Sequence, residues 1–226
     1  MSEERKDYIG NKAAVFVCNG ATGHAKEERE INDFYATDSV AAEWLLRLEP
    51  QLDRIWENAC GEGHLAEIFR KAGKLGAVSD LIDRGYHPEG IPQSFGRDFL
   101  QMNKIWKGDI VTNPPFATGY KWAKHQLDVI EEGRYSVLFM KLTFLEGKER
   151  RKFFEEYPPI RIWVSSSRIP CAKNGEFYKP KKNKDGSTAV NHVGEPIMVK
   201  ESSAVCYAWF VWQKGFKGYP EIRWFN

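Results

Sequence analysis

Cysteine is scarce in this sequence and widely spread. Cys18, Cys60, Cys171 and Cys206 form no C-x-x-C pair, which argues against a disulfide framework or a thiolate zinc site and fits a reducing, cytoplasmic setting. His24, His64, His87, His125 and His192 form no H-x-x-x-H pair, so no metal is expected. No apolar run approaches the ~18 residues of a membrane span, and the opening MSEERKDYIG lacks an apolar signal core; no membrane association is expected. The net charge is only +2, so a nucleic-acid partner requires positive charge concentrated in one place. Internal repeats and low-complexity tracts are absent.

What is present suffices for a core. The chain has 226 residues, of which 42% are hydrophobic and 28% charged, the profile of one α/β domain with a modest insertion. Residues 1–33 are polar and weakly periodic, with the charge run KEEREIND; they read as a mobile or loosely packed arm. The domain proper is expected over residues 34–226. Ser39 to Leu48 reads as a helix capped by Thr37 or Asp38 and closed by Pro50. Arg54 to Glu57 is a short strand running into a glycine turn. A helix from His64 to Ala72 follows, with Leu65, Ile68, Phe69 and Ala72 on one face and Gly73 at its end. Leu75 to Ser79 is a second strand, ending at Asp80. After a Gly/Pro-rich passage, Asp98 reads as the end of a third. Asp109 to Thr112, Tyr135 to Met140, Ile160 to Val164 and Ala204 to Trp212 read as further strands, and Tyr219 to Phe225 as an edge strand. Helices recur between the strands: one capped by Thr118, with Ala123, Leu127 and Ile130 inward, and a charged one over residues 145–157. This alternation predicts a mostly parallel sheet covered by helices on both faces. In such sheets ligands bind at the carboxyl ends of the strands, where Glu57, Asp80, Asp98 and Asn113 all fall.

The stretch DIVTNPPF, Asp109 to Phe116, carries the most chemistry. Pro114 and Pro115 each fix φ and remove an N–H, so neither strand nor helix continues through them. The stiff corner aims the Asn113 amide, the Pro114 carbonyl and the Phe116 ring beyond the strand end. An exocyclic amino group on adenine or cytosine is a poor nucleophile because its lone pair is delocalised into the ring. Two acceptors gripping its hydrogens draw the nitrogen toward tetrahedral geometry, and rigidity places them before the reaction. Phe116 offers a face on which a base can stack. Upstream, Glu57-Asn58-Ala59-Cys60-Gly61-Glu62-Gly63 is a strand-to-helix turn whose glycines let backbone approach a ligand. A carboxylate beside it suits an ammonium and is less welcome next to pyrophosphate. S-adenosylmethionine has an ammonium and no phosphate. Asp80 is placed to accept ribose hydroxyls, although Asp83 is close enough to confuse the assignment. Asp98 is placed to accept from an adenine amino group, with Phe99 beside the ring; a capping role is the plainer alternative for each Asp.

With these elements in order, the sequence resembles the S-adenosylmethionine-dependent amino-methyltransferases, and in particular the compact phage- and prophage-type DNA N6-adenine methyltransferases. Phe34-Tyr35-Ala36-Thr37 resembles the family's F-Y-x-T element, and Glu57 to Gly63 its D-P-A-C-G-x-G cofactor loop, with Glu57 for Asp and Asn58 for Pro. Asp80-Leu81, Asp98-Phe99 and Asn113 to Phe116 match the ribose, adenine and catalytic elements, and Tyr207 to Trp212 is a further family-like stretch. The resemblance implies a Rossmann-like fold with a mostly parallel seven-stranded sheet and a small late insertion, and S-adenosylmethionine as cofactor. It implies cofactor contacts from Tyr35, Thr37, Glu57, Asn58, Ala59, Cys60, Gly61, Gly63, Asp80, Leu81, Asp98 and Phe99. Asn113, Pro114, Pro115 and Phe116 are then the catalytic corner, acting on adenine N6 of a base flipped out of DNA.

The segment 166–203 carries seven basic side chains against four acidic ones, a local excess beyond that of the whole chain. Arg168, Lys173, Lys179, Lys181, Lys182 and Lys184 are the candidate DNA contacts, and KPKKNKDG reads as a hairpin tip or basic loop. A merely solvated charged loop is the alternative. The same corner chemistry serves RNA or cytosine-N4 amino groups. A non-catalytic nucleic-acid-binding protein of this fold is a further alternative, against which the intact glycine turn and NPPF argue. Trp122, one turn past the corner, is placed either to fill core or to wall a base pocket.

Overall fold

The computed structural model describes residues 36–172, 177–200 and 205–226; the proposed arm 1–33, Tyr35 and Lys173 lie outside them. The described strands are β1 (Ala36–Thr37), β2 (Ile55–Glu57), β3 (Leu75–Asp80), β4 (Gln93–Phe95), β5 (Ile110–Thr112), β6 (Tyr135–Lys141), β7 (Arg161–Ser165), β8 (Cys171–Ala172), β9 (Tyr178–Pro180), β10 (Met198–Lys200), β11 (Tyr207–Gln213) and β12 (Glu221–Phe225). The helices are α1 (Val40–Leu48), α2 (Ala66–Lys71), α3 (Gly119–Asp128) and α4 (Lys148–Glu156).

The fold is organised by β6 and β11, two seven-residue strands buried along nearly their whole length. They pair antiparallel, with Phe139 opposite Trp209. Alternation along a strand sends successive side chains to opposite faces. Val137, Phe139, Trp209 and Val211 therefore join one core, with Leu45 of α1 and Phe69 of α2. Leu138, Met140, Phe210 and Trp212 join the other, with Trp122 and Leu127 of α3 and Phe153 of α4. A sheet buried on both faces needs apolar residues on both, which is why these strands read as unbroken hydrophobic runs.

The main sheet has eight strands in the order β12-β7-β11-β6-β5-β2-β3-β4. Strands β4, β3, β2, β5 and β6 run parallel, β11 is antiparallel to both of its neighbours, and β12 lies parallel to β7 at the edge. The sheet is thus one strand wider than the expected seven, and the added strand is the tail β12. The chain moves outward from β2 to β3 and β4, then returns to the other side of β2 to form β5, so the direction reverses between β2 and β5. A crevice opens at such a switch point, beyond the strands' carboxyl ends, and Glu57 and Asn113 flank it.

Several boundaries differ from the sequence reading, for physical reasons. The third strand is Gln93–Phe95, inside the Gly/Pro-rich passage, and Asp98 lies three residues beyond it. Asp98 instead caps a 3-10 turn, its carboxylate accepting from Leu100 N–H at 2.9 Å. The helix after the glycine turn starts at Ala66, and Ala72 lies outside it, exposed. Asp38 supplies the cap of α1, accepting from Val40 N–H at 3.1 Å. No side-chain capping bond comes from Thr118, which precedes α3.

One buried charge ties the end of α1 to β7. Glu49 is 1% exposed and accepts two bonds of 2.6 Å from the Arg161 guanidinium and one of 2.7 Å from Trp163 Nε1. Removing one partner of a buried pair strands the other charge. Arg161→Leu is therefore expected to cost about 3 kcal/mol or more, read as a lower urea midpoint at unchanged slope; a change within 0.5 kcal/mol, roughly the surface-substitution range, would show that Trp163 and Gln51, whose Nε2 donates to Glu49 Oε2 at 2.5 Å, satisfy Glu49 without the guanidinium.

Candidate active site

Strand β2 is buried throughout and delivers Glu57, 2% exposed, to the crevice. Burial, and secondarily the charge of Asp80, push its carboxyl well above the usual carboxylate range, with the Ala66 backbone N–H working weakly the other way. Among the described residues, Glu57 Oε2 has no hydrogen-bond partner. A buried acceptor without a donor is costly; a cation with N–H groups at this point would satisfy it. The neighbouring Asn58 is similar. Ser136 donates to Gln126 Oε1 at 2.6 Å, and Gln126 Nε2 donates to Asn58 Oδ1 at 3.3 Å. This buried relay leaves Asn58 Nδ2 without a partner among the described residues. The chain thus presents an acceptor and a donor side by side where the resemblance expects a cofactor head group.

The turn that follows is locked by its own backbone. Gly61 and Gly63 have φ of 54° and 83°, left-handed values that glycine adopts freely. A Cβ on Gly63 would lie 2.2 Å from the Tyr86 ring, so this position also requires the absent side chain. Cys60 packs beneath the turn. Burial, then the charges of Glu57 and Asp80, raise its thiol pKa, so it stays protonated and acts as an apolar filler rather than a nucleophile.

Asp80 has a second role that its position in sequence does not show. Its Oδ2 accepts from Gly61 N–H at 2.7 Å, fastening the turn to the end of β3. Its Oδ1 accepts from Ile82 N–H at 3.0 Å and from Arg84 Nη1 at 3.1 Å. A carboxylate has about four acceptor sites, so part of its capacity is spent within the protein. Leu81 is half exposed at the rim. Phe99 is 2% exposed, with its ring centroid 4.9 Å from that of Trp122 and 5.5 Å from that of Trp56; it forms the floor of the site more than a free stacking face.

From the other side, β5 delivers Asn113. Pro115 has φ −53° and ψ 120°, and a 3-10 turn over Phe116–Thr118 leads into α3. The Asn113 amide is oriented: Nδ2 donates to Thr37 Oγ1 at 2.7 Å, which puts the acceptor atom Oδ1 on the opposite side of the amide. Phe116 is backed by Tyr207 at 5.8 Å between centroids, and Lys141 Nζ lies 4.9 Å from the Phe116 centroid.

One cavity of about 260 Å³ joins these groups. Thr37, Glu57, Asn58, Asp80, Asp98 and Asn113 line it; so do the sequence-expected Ala59, Cys60, Leu81, Phe99, Pro114, Pro115 and Phe116. Gly61 and Gly63 do not line it and act through backbone geometry. Trp122, left between core and pocket by sequence, does both: it is 7% exposed and lines the cavity. Arg84 and His64 line the cavity as well and were not anticipated. An arginine four residues after Asp80 was the available signal.

The basic segment forms its own small sheet. Strands β9 and β10 pair antiparallel, Lys179 facing Val199, and two tight turns at Gly186 and Gly194, with φ of 86° and 84°, extend it. Arg168, Lys179, Lys181, Lys182 and Lys184 are exposed. Lys181, Lys182 and Lys184 enter no ion pair among the described residues, although Lys182 Nζ donates to Thr188 at 2.9 Å. None of the five lines the cavity. Lys200 is different: it pairs with Asp38. The module meets the rim of the cavity through Phe177, whose ring lies 5.5 Å from that of His64. Among the described residues no group of His, Cys, Asp and Glu could hold a metal ion, and no helix is long and apolar enough to cross a membrane.

No protein-family model matches the chain, and no curated protein does. Solved structures do. A Pyrococcus horikoshii protein provisionally described as an RNA methyltransferase superposes with a TM-score of 0.52 at 12% identity, over 88% of this chain and 97% of that one. The methyltransferase subunit of a type I restriction-modification system from Streptococcus thermophilus gives 0.52 at 12% identity, over 82% of this chain and 46% of its own. A Listeria monocytogenes protein provisionally described as a class I S-adenosylmethionine-dependent methyltransferase gives 0.52 at 10% identity, over 95% and 71%. The chain spans less than half the length of the restriction-modification subunit. At such identities the likeness concerns the fold: the chain has the Rossmann-like architecture of these methyltransferases, with eight strands in its main sheet.

Glu57 gives a direct test of the site's electrostatics. Its folded pKa is raised, so the folded chain holds a proton there that the unfolded chain releases at lower pH. Stability is then lost as pH rises from the unfolded value through the folded one. Glu57→Gln is expected to raise the melting temperature of the ligand-free protein, by an amount that grows from about pH 5 to about pH 8. A lower melting temperature at the upper end, read by scanning calorimetry, would show that the carboxylate is already well paired.

Proposed function

We propose that this chain transfers a methyl group from S-adenosylmethionine to the N6 amino group of adenine in DNA, taking the base out of the stack into the cavity between Asn113 and Phe116. The observation that carries the reading is one cavity that joins the buried Glu57 carboxyl, whose Oε2 has no partner among the described residues, to the acceptor corner at Asn113. Glu57 suits the ammonium of the cofactor's amino-acid end, and the Asn58 amide donor suits an acceptor beside it. Asp80 retains capacity for ribose hydroxyls, and Leu81 and Asp98, which line the same cavity, suit the edge of an adenine. When bound, S-adenosylmethionine supplies an electrophilic methyl on a sulfonium.

The protein's part is to make a weak nucleophile attack it. Asn113 Oδ1 and the Pro114 carbonyl each accept one hydrogen of the amino group, localising the nitrogen lone pair toward the methyl. With S-adenosylmethionine bound, its sulfonium would give up the methyl as the C–N bond forms and leave as a neutral thioether, and the amino nitrogen would shed one proton to solvent by way of these acceptors. The diproline holds the acceptors still, so little reorganisation is required as charge develops. Phe116 supplies a stacking face, braced by Tyr207. The exposed lysines of the β9–β10 module supply phosphate contacts, and their small extent suits a short target sequence. The restriction-modification neighbour supports DNA as the polymer; the neighbour described as acting on RNA makes RNA the comparison substrate.

Asn113→Ala is expected to lower methyl transfer to DNA roughly 100-fold or more while S-adenosylmethionine affinity by calorimetry stays within a factor of about three; activity within tenfold of wild type would remove the acceptor role. Converting Lys181, Lys182 and Lys184 to Ala together is expected to reduce the slope of log affinity against log salt by about two to three. An unchanged slope would make the module a bystander, and a larger effect on RNA than on DNA would change the substrate.

A further inference from the structure

Three sets of contacts converge on Thr37 and Asp38, at the end of the two-residue strand β1 and just after it, and none is explained by cofactor binding. The first is the bond from Asn113 Nδ2 to Thr37 Oγ1 at 2.7 Å. The second continues it: with Oγ1 already accepting, the Thr37 hydroxyl hydrogen can run on toward Cys171 Sγ, 3.8 Å away. Thr37 and Cys171 are register partners in the β1–β8 ribbon, which is separate from the main sheet. The third is at Asp38. Its N–H donates to the Pro170 carbonyl at 3.2 Å, and its carboxylate pairs with Lys200 while capping α1 through Val40. Pro170 and Cys171 stand near the start of the basic segment 166–203, and Lys200 near its finish. Both ends of the segment are therefore fastened to Thr37–Asp38, and Thr37 is fastened to the acceptor amide.

An amide is nearly symmetric in shape and opposite in chemistry at its two ends. Turned about its last torsion, Asn113 would offer N–H to an amino group that itself only donates, and the grip on the nitrogen would fail. A bond from Nδ2 to a fixed acceptor holds it the other way. We infer that Thr37 is a positioning residue: it orients the Asn113 amide for the amino group to be methylated, and it makes that orientation depend on the seating of the basic segment through Cys171, Asp38 and Lys200. This rests on the proposed function, and it adds a second role to the cofactor contact that sequence resemblance implies for Thr37, which lines the cavity.

The test is single-turnover methyl transfer to DNA, with S-adenosylmethionine affinity by calorimetry and melting temperature measured on the same proteins. Thr37→Val keeps the β-branched shape of the strand and removes the acceptor. It is expected to slow transfer roughly ten- to a hundredfold, since misplacement of a reacting group is costly, with cofactor affinity within about threefold. Thr37→Ser restores the hydroxyl and is expected to transfer within about threefold of wild type, a rescue that a packing role would not give. Lys200→Met, away from the cavity, is expected to slow transfer about threefold or more at saturating DNA with cofactor affinity unchanged.

Wild-type rates in Thr37→Val, or a fall in cofactor affinity matching its fall in rate, would overturn the positioning role. A wild-type rate in Lys200→Met would overturn the dependence on the basic segment. A wild-type protein that binds the cofactor and methylates neither DNA nor RNA would overturn the proposed function and this inference with it, a result distinct from an active wild type matched by an active valine variant.

Discussion

An amide held at the end of a buried strand, with its nitrogen committed to Thr37 and two prolines fixing the chain beyond it, is the constraint on which the site depends. A corner that cannot flex places Asn113 Oδ1 and the Pro114 carbonyl without help from the ligand. Everything nearby serves to hold that corner opposite the Gly61 turn. The reversal of chain direction between β2 and β5 puts the two side by side, the cores on both faces of the sheet fix the strands that carry them, and Asp80 ties the turn to the end of β3.

The site is also where the fold is worst satisfied. Among the described residues, Glu57 Oε2 and Asn58 Nδ2 are buried without partners, and the Asn58–Gln126–Ser136 relay uses three buried polar side chains to orient one donor. Away from the cavity, a comparable buried carboxylate, Glu49, is closed off by donors from Arg161, Trp163 and Gln51. The contrast is informative because both groups are carboxylates at nearly the same burial. One is satisfied within the protein, while the other leaves a buried carboxyl oxygen for something else to complete. Local conflicts of this kind are characteristic of functional sites.

Much of this was legible in the sequence because its punctuation is strong. Unbroken apolar runs marked β6 and β11. Glycine and proline marked both turns flanking the crevice, and the acidic residues at strand ends identified Glu57 and Asp80. What could not be read had weak or distant causes. Strand β4 has three half-exposed or exposed residues within a Gly/Pro-rich passage, so neither periodicity nor hydrophobicity signals it. Asp98 looks the same in sequence whether it ends a strand or caps a turn, and it caps a turn. Arg84 enters the cavity because the chain doubles back after β3. The bonds of Thr37 to Asn113 and Cys171 had no local signal, because those partners lie 76 and 134 residues away and meet it only through the fold.

The measurement closest to the central claim is nucleoside analysis by mass spectrometry, with modified-base sequencing, of DNA and RNA from cells expressing the protein beside cells expressing Asn113→Ala. N6-methyladenine in DNA, at a short recurrent sequence and absent with the variant, is the expected result. Methylation confined to RNA or to cytosine, or N6-methyladenine at equal levels with the variant, would contradict it.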